Sequence, residues 1–211
     1  MKKYIVLLLF CVSFTNLNAD VLSKLTEITE RNPIECNDYW KYIFSLYMNG
    51  NDLIVGIFTD TSNSASIIGY KKENDTLKII IKYRTFESVR PTYDDRYGTI
   101  IDINYYYLVE LMEINGKLES YCNRISEINL NNFIINNAEV FKNTVARLGP
   151  SIQWNVAMEL EKGTLINVIG IKKEGNDAYN TYDYWYGVNI NNQIYWIYGF
   201  FIEFKKTMRI T

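Results

Sequence analysis

The chain has 211 residues, 48% of them hydrophobic and 15% aromatic, with 22 basic side chains against 24 acidic ones. It contains no histidine, which removes imidazole acid–base catalysis, Ser-His-Asp and Cys-His nucleophilic sites and most zinc sites. The slight acidic excess offers no basic footprint for nucleic acid or for an anionic membrane surface.

The first residues, "MKKYIVLLLFCVSFTNLNAD", place Lys2 and Lys3 before an apolar run from Tyr4 to Phe14, then small and polar residues up to Ala19. This is the layout of a secretory signal peptide over residues 1–19. The run is too short to span a bilayer, which needs about 20 residues. A lipoprotein reading would use Cys11, but bulky Phe10 precedes it and Cys11 lies inside the apolar run. Cleavage after Ala19 is expected, leaving 192 of the 211 residues with 20 basic and 24 acidic side chains, a net charge of about −4. No second long apolar run follows, so the mature chain is expected to be exported, periplasmic or extracellular, without an integral membrane span. Cys36 and Cys122 are the two cysteines left after Ala19. In an oxidising compartment an even pair invites a disulfide, and two separately buried thiols are the competing reading. Closing such a loop would stabilise by roughly 4–5 kcal/mol in the chain-entropy model.

Val21 to Asn32 has apolar residues at 21, 22, 25 and 28, the spacing of a short helix that Asn32-Pro33 ends. Strand patterns follow. Apolar runs flank Asn49-Gly50, then Glu73-Asn74-Asp75, then Asn115-Gly116, which reads as three hairpins in series and an antiparallel meander or sandwich. Between the second and third lies a loop, "FESVRPTYDDRYG". Its Asp94 and Asp95, beside Arg90 and Arg96, are the nearest thing to paired carboxylates. Adjacent residues on one loop do not face each other across a cleft as a glycosidase requires, so a charge-balanced solvated turn is the simpler reading. Asp183, inside an aromatic stretch, is open in the same two ways. No spaced Asp-x-Asp calcium loop and no nucleotide fingerprint occurs, and neither metal nor cofactor is expected.

The polar stretch "NLNNFIINN" at 129–137 is expected to separate a β-rich domain, 20–137, from a second β region, 138–206. There "GTLINVIGIKK" alternates after Gly163 and "YWYGVNINNQIYWIYGFFIEF" reads as a hairpin around Asn191-Asn192. Lys205 to Thr211 reads as a frayed end.

Four segments of this region occur in order: "ARLGPS" at 146–151, "ELEKGTLINVIG" at 159–170, "WYGV" at 185–188 and "YWIYGFFI" at 195–202. The order resembles the bacterial Src-homology-3-like domain. That family shows an Arg-x-Gly-Pro-Ser entry, a Lys-Gly-Thr step, a Trp-Tyr-x-Val strand and a final Gly-Trp-Val-Tyr-x-x-Tyr-Leu strand. Arg147, Gly149, Pro150 and Ser151 match the first; Lys162, Gly163, Thr164, Ile166 and Val168 the second; Trp185, Tyr186 and Val188 the third; Trp196, Ile197, Tyr198 and Ile202 the last. Tyr195 stands where the family has glycine, and the loop before Trp185 is longer than usual. Residues 20–137 carry no such resemblance.

The expected fold is therefore all-β: an antiparallel meander or sandwich with one short helix, then a small Src-homology-3-like barrel. The resemblance implies a non-catalytic protein that binds a cell-wall peptide, peptidoglycan or a protein segment. A carboxylate-dependent glycan hydrolase and a structural adaptor between envelope proteins are the competing readings. Along "YWYGVNI", period two puts Tyr184, Tyr186, Val188 and Ile190 on one face, expected to be core. Trp185 falls on the other, and with Tyr179 and Tyr182 in the preceding loop it is the candidate aromatic groove.

Overall fold

The computed structural model describes residues 32–35, 42–49, 51–57, 63–89, 99–115, 117–173, 182–205 and 207–209. These are nearly all β, in antiparallel sheets, with one 3-10 turn at Gly199–Phe201 and no other helix among the described residues. The helix expected from Val21 lies outside the described residues up to its end, where Asn32 and Pro33 instead open β1 (Asn32–Glu35). Cys11, Cys36, Asp94, Asp95 and Tyr179 also lie outside them.

All three expected hairpins form. The first joins β2 (Tyr42–Asn49) to β3 (Asp52–Ile57), with Asn49 opposite Asp52. The second joins β4 (Ser64–Glu73) to β5 (Thr76–Val89), and the third joins β6 (Thr99–Ile114) to β7 (Lys117–Arg124). Asn74 and Asn115 take the left-handed backbone that reverses the chain, with φ 53° and 54°, a conformation asparagine tolerates better than other side chains. The chain continues through β8 (Glu127–Asn129), β9 (Ile134–Ile135), β10 (Ala138–Val140), β11 (Thr144–Arg147) and β12 (Val156–Leu160). Then come β13 (Leu165–Ile166), β14 (Val168–Lys172), β15 (Trp185–Ile190), β16 (Gln193–Tyr198), β17 (Ile202–Phe204) and β18 (Thr207–Arg209). The β15–β16 hairpin turns at Asn191-Asn192, both at positive φ, as the sequence predicts.

The hairpins do not form one continuous meander. The second and third build a five-stranded sheet ordered β7-β6-β5-β4-β9, while the first sits in a four-stranded sheet ordered β1-β2-β3-β18. These two sheets pack face to face, as Ile34, Leu46, Leu53 and Val55 of one meet Ile67, Ile79, Ile81 and Val109 of the other. The five-stranded sheet is also used on its reverse side. There Ile68, Ile80 and Tyr106 share a second core with Val140, Val168, Tyr186 and Ile197 from the C-terminal region. Strand β5 shows this directly: Leu77, Ile79, Ile81 and Tyr83 alternate into the first core, and Ile80 enters the second.

Two sheets make up the rest: β13-β10-β17, and β12-β11-β16-β15-β14-β8. The stretch 129–137 is woven into both halves of the chain. Strand β8 pairs with β14 and β9 with β4. Buried Asn136 donates from Nδ2 to the Ile67 carbonyl at 2.9 Å and to the Lys205 carbonyl at 2.7 Å. Gly149-Pro150 turns the chain between β11 and β12. Gly163 serves its turn through φ 86°, with open space where a Cβ would stand.

The expectation of a frayed tail is corrected. Thr207–Arg209 pairs with β3, Met208 lies opposite Leu53, and Met208 is buried in the first core. Three residues are too few to show an alternation, but one buried methionine and a ladder to β3 suffice to dock them.

Candidate functional site

The candidate aromatic groove does not assemble around Trp185. That residue is 1% exposed and belongs to the second core. Its ring lies 5.3 Å from Tyr198, its cross-strand partner. The alternation rule assumes one wet face. Strand β15 lies inside its sheet between β14 and β16, and Tyr184 through Val188 are all buried, so both faces are covered and the pattern cannot tell them apart. Tyr186 is core as expected, at 0% exposure. Tyr182 is only partly buried, with the Lys173 ammonium 5.5 Å from its ring centre.

Where the groove was sought, the structure holds a buried polar network. It starts from β6, whose pairing with β7 ends at Tyr107. The edge left at 102–104 captures Tyr182: the Tyr182 amide donates to the Asp102 carbonyl and the Asn104 amide to the Tyr182 carbonyl, both at 2.8 Å. This clip forms the parallel bridge Ile103–Tyr182 and delivers the next residue, Asp183, into the interior at 0% exposure.

Every contact of Asp183 there is specific. Lys82 on β5 donates to its Oδ2 at 2.8 Å and to the Gly199 carbonyl at 2.9 Å. The Tyr106 hydroxyl and the Tyr184 amide donate to Oδ1, the latter at 2.7 Å. The Tyr186 hydroxyl donates to the Tyr106 oxygen at 2.8 Å, and the Asp183 amide to the Tyr198 oxygen at 2.8 Å. A buried carboxylate is tolerable only when paired and hydrogen-bonded, and this one has both. Its role is thus structural cross-linking of β5, β6 and the strand after Tyr182, neither a solvated turn nor half of a carboxylate pair.

Two tyrosines of the network are pushed well above the ordinary value of 10.0: Tyr106 by burial and then by the Asp183 charge and Tyr186, and Tyr186 by burial and then by Asp183. A raised folded value favours the protonated form in the native state. Their contribution is therefore complete below pH 10 and is lost as pH climbs above it. In a phenolate absorbance titration, these tyrosines should ionise only together with loss of native circular dichroism; smooth ionisation in a still-folded chain would contradict the network.

Beside this network lies a cavity of about 260 Å³. Ser64, Ser66, Lys82, Arg84 and Asn104 of the five-stranded sheet line it, together with Phe141 and Phe200 from the C-terminal region. The strand register brings the polar residues together. Ser66, Lys82 and Tyr106 are cross-strand neighbours, as are Ser64, Arg84 and Asn104, so two rows of three share the face turned to the second core. Arg84 pairs with Asp102 at 2.7 Å.

A third feature was missed by the sequence reading. The turn between β11 and β12 holds Leu148, Ile152 and Trp154, and Val156 opens β12, each about half exposed. The Trp154 ring lies over Gly149, so close that a Cβ there would meet it at 2.3 Å. Arg147 donates to the Trp154 carbonyl at 2.7 Å, fixing the backbone beneath the ring. Strand β12 pairs only with β11 among the described residues. Its available signal was the run of large apolar residues across a Gly-Pro turn, where polar residues would be ordinary.

No group of three or more His, Cys, Asp or Glu side chains able to hold a metal occurs among the described residues, and no described helix is long and apolar enough to cross a membrane. No family model, curated protein or solved structure matches the chain.

Proposed function

We propose that this is an exported, non-catalytic binding protein whose C-terminal region, read as a Src-homology-3-like barrel, holds an extended peptide segment. The segment belongs to cell-wall peptide or to an envelope protein. One observation carries the reading: strand β12 is a sheet edge with two exposed apolar side chains, Trp154 and Val156, at its entry. An extended peptide can add to such an edge through main-chain hydrogen bonds while its side chains meet the aromatic residue. Large half-exposed aromatic and aliphatic side chains clustered on one turn also favour this over a merely solvated surface. We further propose that Cys36 and Cys122 form the disulfide. Cys122 is buried, and β1, which ends one residue before Cys36, contacts β7, which carries Cys122.

Retention of the purified chain on isolated peptidoglycan, whose peptides remain attached, tests the function. Trp154→Ala is expected to cut retention about tenfold or more while leaving the unfolding midpoint nearly unchanged, because the side chain is half exposed and an aromatic anchor of this kind is worth about 2 kcal/mol. Equal retention of both proteins would overturn the β12 surface. No retention of either would leave the envelope-protein segment as the partner, with Trp154→Ala compared by crosslinking in intact cells.

A further inference from the structure

We propose that the segment held on β12 is acidic: an extended peptide with an aspartate or glutamate side chain that pairs with the Arg147 guanidinium beside Trp154. This rests on the peptide reading of β12 and names the chemistry of its ligand.

Arg147 is placed by the strand register. It ends β11 and follows Ala146, which is 0% exposed in the second core, so Arg147 points to the other face of the strand. It stands directly across from Val156 of β12 and from Trp196 of β16. Its guanidinium reaches toward the entry of β12, because Nη1 donates to the carbonyl of Trp154, two residues before Val156, at 2.7 Å. Nε is buried, whereas Nη2 bonds to no described residue and is open to solvent. Lys71, Lys78, Lys82 and Arg84 each pair with a carboxylate. Arg147 is fixed on a carbonyl instead and forms no ion pair among the described residues. Glu159, also on β12, stands across from Val145 and does not reach it. The edge thus carries a cation held in place, with an open donor and no counter-charge.

A peptide strand added to β12 sets one residue directly across from Val156, and directly opposed side chains share a face. That side chain joins the row of Val156, Arg147 and Trp196. A carboxylate there accepts from Nη2 and supplies the missing charge. A neutral side chain would leave the cation unmatched, and a basic one would oppose it. A terminal main-chain carboxylate lies in the plane of the ladder rather than on its face, so the register favours a side chain. A phosphate group carries nearly two charges and is ordinarily met by a cluster of arginines; here one arginine shares the strand pair with Glu159. Leu148, Ile152 and Trp154 on the same turn are half exposed, so the segment is acidic at this position and apolar beside it. The chain as a whole has a formal net charge of −2 and offers anions no general attraction, which leaves the preference to Arg147.

NMR shift titrations of the full chain test this with the blocked peptide acetyl-Thr-Val-Glu-Val-Thr-amide and its counterparts with glutamine or lysine at the centre. The glutamate peptide is expected to bind about fivefold more tightly than the glutamine one, the upper range for a partly exposed ion pair, and the lysine peptide more weakly than either. In Arg147→Gln the preference for glutamate should vanish; in Arg147→Lys, which keeps the charge, part of it should persist. The ratio is the readout, because an arginine that only held the Trp154 turn would, once replaced, weaken the glutamate and glutamine peptides alike. The comparison on the unaltered chain still decides if Arg147→Gln fails to fold. A glutamine peptide with a free C-terminus probes the other source of a carboxylate: affinity equal to that of the blocked glutamate peptide would assign Arg147 to a chain end and overturn the proposal. Equal binding of the blocked glutamate and glutamine peptides, weakened in both by Trp154→Ala, would overturn the acidic ligand and leave the β12 surface standing. A glutamate preference undiminished in a folded Arg147→Gln would overturn the role of Arg147, and binding of none of the peptides would overturn both readings.

Discussion

Lys82→Met is expected to destabilise the folded chain by about 3–5 kcal/mol, the cost of removing one partner from a buried ion pair. Asp183 is fully buried, and Lys82 is the one donor to its Oδ2 among the described contacts. Methionine keeps much of the side-chain volume, so the loss reports the orphaned charge and the lost bond to the Gly199 carbonyl rather than a cavity. Urea unfolding of both proteins measures it. Adding Asp183→Asn to Lys82→Met should recover part of the loss, because the uncompensated charge goes with the carboxylate. A loss below about 1 kcal/mol for Lys82→Met would mean that water or another group solvates Asp183 and that the pair is not the cross-link described.

Gly199→Ala comes next, at about 3 kcal/mol, the upper end for overpacking a close-packed interior. A Cβ at Gly199 would stand 2.4 Å from Tyr186 Cε2, 2.7 Å from the Tyr184 carbonyl oxygen and 2.8 Å from Asp183 Oδ1. None of these can retreat cheaply. The Tyr186 ring is buried and hydrogen-bonded to Tyr106, and the Tyr184 carbonyl accepts from the Gly199 amide itself at 2.8 Å. Gly149→Ala is the informative comparison. Its Cβ would approach Trp154 even more closely, but that ring is half exposed and can swing into solvent. Gly149→Ala should therefore cost much less stability than Gly199→Ala in the same thermal melts, and comparable losses would show that the Trp154 ring is held from both sides.

The hairpins were legible because their signals are local. Asparagines at the turns and apolar runs on either side specify where the chain reverses, whatever packs on it. Which sheet each hairpin joins was not legible, since the first hairpin and the five-stranded sheet meet through side-chain packing and through Met208, far away in sequence. Trp185 was misplaced because alternation reports a wet face that β15 lacks. The Lys82–Asp183 pair spans 101 positions, beyond any spacing rule. Its trace in the sequence is Lys82, which follows the apolar run of "KIIIKYR", and a lone aspartate in "TYDYWY", two opposite charges each beside residues that belong in a core. The exposed turn at Trp154 left a trace too, in apolar residues where a Gly-Pro turn would ordinarily be polar.

The pairing of β18 with β3 bears on how the chain reaches this state. Met208 sits opposite Leu53, so the four-stranded sheet cannot close until a segment about 155 positions downstream has found it. Loop-closure entropy of that kind precedes any gain from the contact, and β proteins dominated by distant pairings fold slowly, in milliseconds to seconds. Until then β3 presents a bare edge, the strand feature most prone to pairing with a neighbouring copy. The interval between emergence of β3 and arrival of β18 is therefore the stretch in which a chaperone would have the most to protect.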